Sequence, residues 1–365
     1  MDGLSTVAVV GTGLIGGSVG LGLRRRGATV RGWDRDPERA QAALDAGALD
    51  SVAGSLEEVV TGVDAVVVAI PVGETAEVVI AALDAGAAVV TDVGSVKAPV
   101  VAAVEADRPH LAPHFVGGHP MAGSEQGGLD GADADLFSGA TWVLTPTGGT
   151  DTAAFSAARA LVSQLGAEVI ATSPDHHDHL VAVVSHVPQL AATTLMDVAA
   201  GVGEEHATLL RLAAGGFRDM TRIAASDAEI WPDICVANRD AIVAALDDYL
   251  TALERVRSLV AGGDRPALLS ILERAREARR SLPVGTPSGE ALAELRVPVA
   301  DRRGVLAEIT TVAGELGISI ADIEIAHSVE GGGGVLVLVV PLRSAAALET
   351  ALQARGYHSS WTELP

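Results

Sequence analysis

The chain has 365 residues, 48% of them hydrophobic but only 3% aromatic, with a formal net charge of -22 and a sequence pI of about 4.7. That length suits two or three domains with cores of Ala, Val, Leu and Ile, while the acidity argues against nucleic acid and anionic membrane surfaces as partners. The single cysteine, Cys235, excludes an intramolecular disulfide; with no secretory leader pattern and no uncharged apolar run of bilayer length, a cytoplasmic protein with no membrane partner is expected.

Residues 6–10 are a fully apolar strand, followed at once by Gly11-Thr12-Gly13-Leu14-Ile15-Gly16-Gly17 and a helical pattern ending at Arg24-Arg25-Arg26-Gly27. A second strand, Thr29 to Trp33, closes on Asp34, 23 residues after Gly11. Strand, G-x-G-x-x-G, helix, strand and acid, in that order, predict a dinucleotide site. Gly11, Gly13 and Gly16 let backbone N–H groups approach a pyrophosphate, with Leu14 and Ile15 opening the helix over it. A carboxylate at Asp34 would take both ribose hydroxyls of NAD and repel a 2′-phosphate; Arg31 and Arg35 beside it pull the other way.

Alternation continues through a strand at Ala65 to Ile70 ending in Pro71, a helix from Val72 to Leu83, and a strand at Ala87 to Thr91 followed by Asp92-Val93-Gly94-Ser95-Val96-Lys97. The expected fold is a Rossmann-type, doubly wound parallel sheet over residues 1–172. A short apolar run, His114 to Val116, leads into a stretch from Gly117-Gly118-His119-Pro120 to Gly127-Gly128, read as a glycine-rich loop after a strand. Gly13, Pro71, Gly94, Ser95 and His119 then follow strand ends, where such sheets bind ligands. Further strands are expected within Leu136 to Pro146 and at Ala167 to Ala171.

From Ser173-Pro174 to about Arg280 the pattern is helical, giving an all-α domain over 173–282 that by analogy pairs two subunits into a homodimer. Asp175-His176-His177-Asp178-His179 reads either as metal ligands or, more simply, as a polar, solvated first turn; no metal site is expected. Pro188 kinks an apolar helix, so Ser185, His186 and Gln189 either line a pocket or satisfy the kink locally. Arg218 and Arg222 follow a double glycine and suit a carboxylate or a surface ion pair. Trp231 is core or pocket wall. A linker at 283–290 precedes a βαββαβ ferredoxin-like module at 291–365.

The chain resembles the prephenate dehydrogenase family, including its arogenate-using members, with an appended ACT domain. The resemblance rests on Val9-Val10-Gly11-Thr12-Gly13-Leu14-Ile15-Gly16-Gly17-Ser18, Asp92-Val93-Gly94-Ser95-Val96-Lys97, Gly118-His119-Pro120-Met121-Ala122-Gly123-Ser124-Glu125, Ser185-His186-Val187-Pro188, and Gly216-Phe217-Arg218-Asp219 through Ala224. It implies NAD-dependent oxidative decarboxylation of prephenate to 4-hydroxyphenylpyruvate in tyrosine synthesis. His119 then serves as acid–base group, with Ser95 orienting it or the substrate hydroxyl. Arg222 holds a substrate carboxylate, Glu125 gates the pocket, Trp231 forms its aromatic wall, and Ser185 and His186 line it. Gln189 stands where many members carry histidine, which leaves arogenate open as substrate. Asp301, Gly304, Val305, Gly317 and Ile318 resemble the ACT ligand loop and imply a tyrosine effector. An amino-prephenate paralogue and a catalytically silent NAD or amino-acid sensor are the alternatives.

Overall fold

The computed structural model describes residues 4–123, 126–205, 212–281, 291–300, 302–327 and 333–363. Glu125, Asp301 and the 283–290 linker lie outside the described residues. The chain divides into two compact units, one running to Ser258 and one from Leu259.

The first unit opens with β1 (Thr6–Val10), α1 (Leu14–Arg25), β2 (Thr29–Trp33), α2 (Pro37–Asp45), β3 (Ser51–Val52), α3 (Leu56–Val60), β4 (Ala65–Val68), α4 (Val72–Asp84), β5 (Val90–Asp92), α5 (Ala98–Asp107) and β6 (Phe115–Pro120). β7 (Thr141–Thr145), α6 (Thr152–Gln164) and β8 (Glu168–Ala171) complete its sheet, in the order β3-β2-β1-β4-β5-β6-β7-β8. Alternate residues of β1 serve two cores, as an apolar strand covered on both faces must. Val7 and Val9 pack with Val19 and Leu23 of α1 and Leu161 of α6. Ala8 and Val10 pack with Val79 of α4 and Val104 of α5 on the other face.

Two expectations are corrected here. The sheet is mixed rather than all parallel, because β7 runs antiparallel to β6. Among the described residues between them only the short 3₁₀ turn Leu129–Gly131 is helical, so no crossover helix carries the chain back to the starting edge. The start of the glycine-rich stretch is strand rather than loop, since β6 runs through Gly117 and Gly118 to Pro120, with His119 opposite Val143. These glycines serve close packing: a Cβ on Gly117 would stand 2.5 Å from the Thr145 hydroxyl, and one on Gly118 2.6 Å from the Asp92 carbonyl oxygen.

Helices follow: α7 (Pro174–Val181), a π-helical turn at Ala182–His186, α8 (Val187–Glu205), α9 (Gly215–Thr221), a 3₁₀ turn at Arg222–Ala225, α10 (Ile230–Ala237) and α11 (Arg239–Gly262). The expected kink at Pro188 takes the form of the π turn just before it, the usual way a helix absorbs a missing N–H donor. The Pro174–Gly201 run reaches the length and hydropathy of a bilayer span, which the sequence reading did not anticipate. Within it His177, Asp178, His186 and Gln189 are buried, while only 33% of its most apolar window is buried.

The second unit holds α12 (Arg265–Arg280), β9 (Leu292–Ala300), α13 (Val305–Glu315), β10 (Asp322–His327), β11 (Gly333–Pro341), α14 (Leu342–Ala354) and β12 (Ser360–Glu363). The last six elements give the expected βαββαβ sequence, in an antiparallel sheet ordered β10-β11-β9-β12. Leu295 and Val297 of β9 and Leu336 and Leu338 of β11 pack beneath Ile309 of α13 and Leu348 of α14.

Candidate active site

A cleft of about 1020 Å³ opens where β1, β4, β5 and β6 end, walled on the other side by the π turn and α10. Gly13, Leu14, Ile15, Arg35, Pro71 and Gly94 line its nucleotide end; Ser95, His119, Ser185, His186 and Trp231 line the rest.

The dinucleotide turn has the geometry its spacing predicts. Gly11 sits at φ 89, and a Cβ there would meet the Ala69 carbonyl oxygen at 2.3 Å. Gly13 caps α1 without a side-chain hydrogen bond, and a Cβ on it would meet nothing within 4 Å. The helix N-terminus therefore faces open space with its N–H groups available to an anion. Asp34 accepts from Thr12 N at 2.9 Å and Asp36 N at 3.0 Å, which locks its carboxylate at the end of β2. Arg35 is paired with Glu74 at 2.8 Å, which draws its guanidinium into an ion pair with another cleft residue. A dinucleotide with free ribose hydroxyls fits this arrangement.

A fully buried ion pair holds the centre. Lys97 Nζ bonds Asp92 and donates to the Gly118 carbonyl at 2.8 Å, while Asp92 accepts from Gly118 N at 3.0 Å and Gly94 N at 2.9 Å. Burial draws the Lys97 ammonium below its usual pKa, against the opposing pull of Asp92. Both polar groups of Gly118 are thus engaged one residue before His119.

His119 Nδ1 lies 2.8 Å from His177 Nε2, and His177 Nδ1 lies 2.8 Å from Asp178 Oδ1. Asp178 accepts in turn from Lys97 N and Ala98 N, both at 2.8 Å. The group orienting His119 is therefore His177 rather than Ser95, whose hydroxyl makes no hydrogen bond among the described residues and stays in the cleft wall. Neither reading of the Asp175–His179 cluster describes His177 and Asp178, which are only 1% and 4% exposed. Among the described residues no cluster of His, Cys, Asp or Glu is placed to hold a metal ion. A sequence signal existed: His177 and Asp178 precede buried Val181 and Ala182 by four residues and share their helix face.

Burial, then the neighbouring His177, Lys97 and His186, hold the His119 pKa well below the usual histidine value. Burial likewise takes His186 down to about 4. Both shifts favour the neutral imidazole.

Three expected substrate ligands stand differently. Gln189 is buried and absent from the cleft wall, because its amide donates to Ser226 Oγ at 2.9 Å. Ser226 also accepts from Trp231 Nε1 at 3.2 Å, so Gln189 acts on the aromatic wall from behind. Arg222 lies exposed on the 3₁₀ turn and does not line the cleft; this stretch of chain reaches the wall only from Asp227 onward. Glu125 lies outside the described residues. In the second unit, Gly304 caps α13 at φ 87 with Val305 as the first helical residue, and Gly317 and Ile318 follow its end.

Comparison with known proteins locates this arrangement. A family model described as prephenate dehydrogenase, nucleotide-binding domain, matches residues 19–171, and one described as prephenate dehydrogenase, dimerization domain, matches 173–274. Prephenate dehydrogenase of Bacillus subtilis (strain 168) is 34% identical over 337 residues, covering 91% of each chain. Cyclohexadienyl dehydrogenase of Zymomonas mobilis is 32% identical over 76% of this chain and 95% of its own. Among solved structures, prephenate dehydrogenase from A. aeolicus in complex with hydroxyphenyl propionate and NAD+ superposes with a TM-score of 0.71 at 31% identity, covering 77% of this chain and 99% of that one. Synechocystis arogenate dehydrogenase gives 0.66 at 30% identity, covering 75% and 98%.

Proposed function

The chain belongs to the prephenate dehydrogenase family, and from its cleft we propose that it catalyses NAD-dependent oxidative decarboxylation of prephenate to 4-hydroxyphenylpyruvate. The observation that carries this reading is His119, a neutral imidazole at the end of β6, tied down through Nδ1 and sharing one cleft with the glycine turn of α1.

NAD, held by the Gly11–Gly16 turn, Asp34 and the strand ends at Pro71 and Gly94, supplies the hydride acceptor. His119 accepts a hydrogen bond from the hydroxyl at C4 and pushes its electron density toward that carbon as the C4 hydrogen leaves. The C–C bond to the ring carboxylate breaks, CO₂ departs, and the ring becomes aromatic. Aromatisation provides the driving force, so the protein's contribution is position and polarisation. Ser95, which lines the same cleft, bonds the same hydroxyl in this reading. Pro71 and Trp231 line the cleft wall beside the ring in this reading.

Arogenate is the second reading. The helical wall presents Asp227, Glu229 and Asp233 to the cleft, and a carboxylate wall favours a substrate bearing an ammonium group. Side-by-side assays of NADH formation on the two compounds decide between them. The leading reading expects the higher kcat/KM with prephenate; turnover of arogenate alone would transfer the assignment.

The reading extends to a homodimer built on the helical segment over 173–282, where Val183, Val184, Val236, Val243 and Leu250 are exposed apolar side chains. It includes a cytoplasmic setting and an ACT-type regulatory module at 291–365 that binds tyrosine through the Gly304–Val305 turn. The strand order of that module supports the assignment.

A further inference from the structure

Two histidines line the cleft, and the hydrogen bonds of both lead back to one residue, Asp178. Asp178 Oδ1, a carboxylate oxygen, can only accept, so the 2.8 Å contact from His177 places that ring's proton on Nδ1. With that single proton on the ring, His177 presents a bare Nε2. The 2.8 Å contact between this atom and His119 Nδ1 then puts the proton on His119 Nδ1, which leaves His119 Nε2 bare.

The second path leaves Asp178 by its backbone. The Asp178 carbonyl oxygen accepts from Asn238 Nδ2 at 2.9 Å, which settles which end of that amide carries hydrogen. The same Nδ2 lies 3.2 Å from His186 Nδ1. An amide NH₂ can only donate, so His186 Nδ1 accepts and His186 carries its proton on Nε2. That Nε2 is buried and has no hydrogen-bond partner among the described residues, and His186 lines the cleft. A buried donor without a partner is unfavourable unless something completes it.

We propose that Asp178 is a positioning residue that sets both tautomers, making His119 Nε2 an acceptor and His186 Nε2–H a donor within one cleft. The acceptor meets the substrate hydroxyl. The donor meets a carboxylate or carbonyl oxygen of the bound substrate, an oxygen that completes the orphaned N–H. The cleft thus recognises a hydroxyl and an anionic or carbonyl oxygen at separate points without placing a charge on either imidazole. Asp178 can act as this reference because Lys97 N and Ala98 N, at the start of α5, clamp its two carboxylate oxygens from the sheet side. His177 transmits one setting and Asn238 the other.

The assignment of the acceptor to the substrate hydroxyl rests on the dehydrogenase reading; the tautomers do not. Nitrogen NMR of the full-length protein with labelled histidine, at a pH near 8, reads them directly, with His119→Asn and His186→Asn identifying the two sets of signals. The expected result is a protonated Nδ1 with a bare Nε2 for His119, and the reverse for His186. The same tautomer on both rings overturns the proposal, even if the enzyme turns over prephenate normally. A wild-type protein with the expected tautomers and no turnover on prephenate or arogenate instead removes the dehydrogenase reading.

Kinetics of two His177 variants give the functional test. His177→Leu removes the acceptor for His119 Nδ1–H. We expect kcat to fall about 100-fold with KM within about twofold, unchanged NAD affinity, and a His119 signal shifted toward a protonated Nε2. His177→Gln offers an amide oxygen to His119 and an N–H to Asp178, and is expected to recover kcat to within about tenfold of wild type. An unchanged kcat and an unchanged His119 signal in His177→Leu would contradict the relay. So would equal losses in both variants with the His119 tautomer intact, the pattern of a merely structural residue.

Discussion

At the scale of single residues, the site depends on which polar groups are satisfied and which are left open. His119 could be picked out of the sequence because a histidine in a glycine-rich strand-end segment has few other uses. His177 could not be assigned so easily: in a run of five polar residues after Ser173-Pro174, solvation is the ordinary expectation, and only the four-residue offset to Val181 separates it from its neighbours. Lys97 was visible as part of a motif, but its burial was not, since a lysine one turn from a strand end is usually exposed. Its pairing with Asp92 yields a prediction. Lys97→Met leaves the Asp92 carboxylate buried and unpaired, so denaturant unfolding should register a loss of about 3–5 kcal/mol. A loss below about 1 kcal/mol would mean that the pair is not what holds Gly118 in place.

At the scale of elements, the strands and helices followed from apolar runs and their period, and the departures have local causes. Gly117 and Gly118 suggested a loop because glycine weakens strands, yet here it permits β6 to lie against Asp92 and Thr145. The antiparallel turn of β7 goes with the absence of a crossover helix among the described residues before it, something a strand pattern alone does not register. Gly118→Ala tests the packing argument. A methyl group would stand 2.6 Å from the Asp92 carbonyl oxygen and 2.8 Å from the Thr91 hydroxyl, both on the neighbouring strand. We expect a stability loss of about 1–3 kcal/mol and a fall in kcat as His119 shifts with β6. Wild-type kcat in a fully folded variant would show that the strand tolerates displacement without moving the imidazole.

At the scale of the whole molecule, the order of pieces was the most legible feature: a dinucleotide-binding sheet, a helical segment and a βαββαβ module each carry their own period and punctuation. What the sequence could not supply was the convergence of side chains from distant elements. Lys97, His119, His177 and Asn238 come together from α5, β6, α7 and the end of α10, and no spacing rule joins them. Regulation belongs to this scale too. If residues 291–365 are a tyrosine-binding module, removing them should abolish inhibition by tyrosine while the first unit retains turnover. Inhibition that persists at the same tyrosine concentration after truncation would place the effector elsewhere.

In the proposed reaction His119 accepts the substrate hydroxyl, and the decisive comparison is of initial rates of NADH formation from prephenate at saturating NAD, for the full-length protein and for His119→Asn. The account predicts a loss in kcat on the order of 100-fold or more, with NAD binding unchanged. A variant that turns over prephenate within about twofold of wild type, or a wild-type protein that forms no NADH, would contradict it.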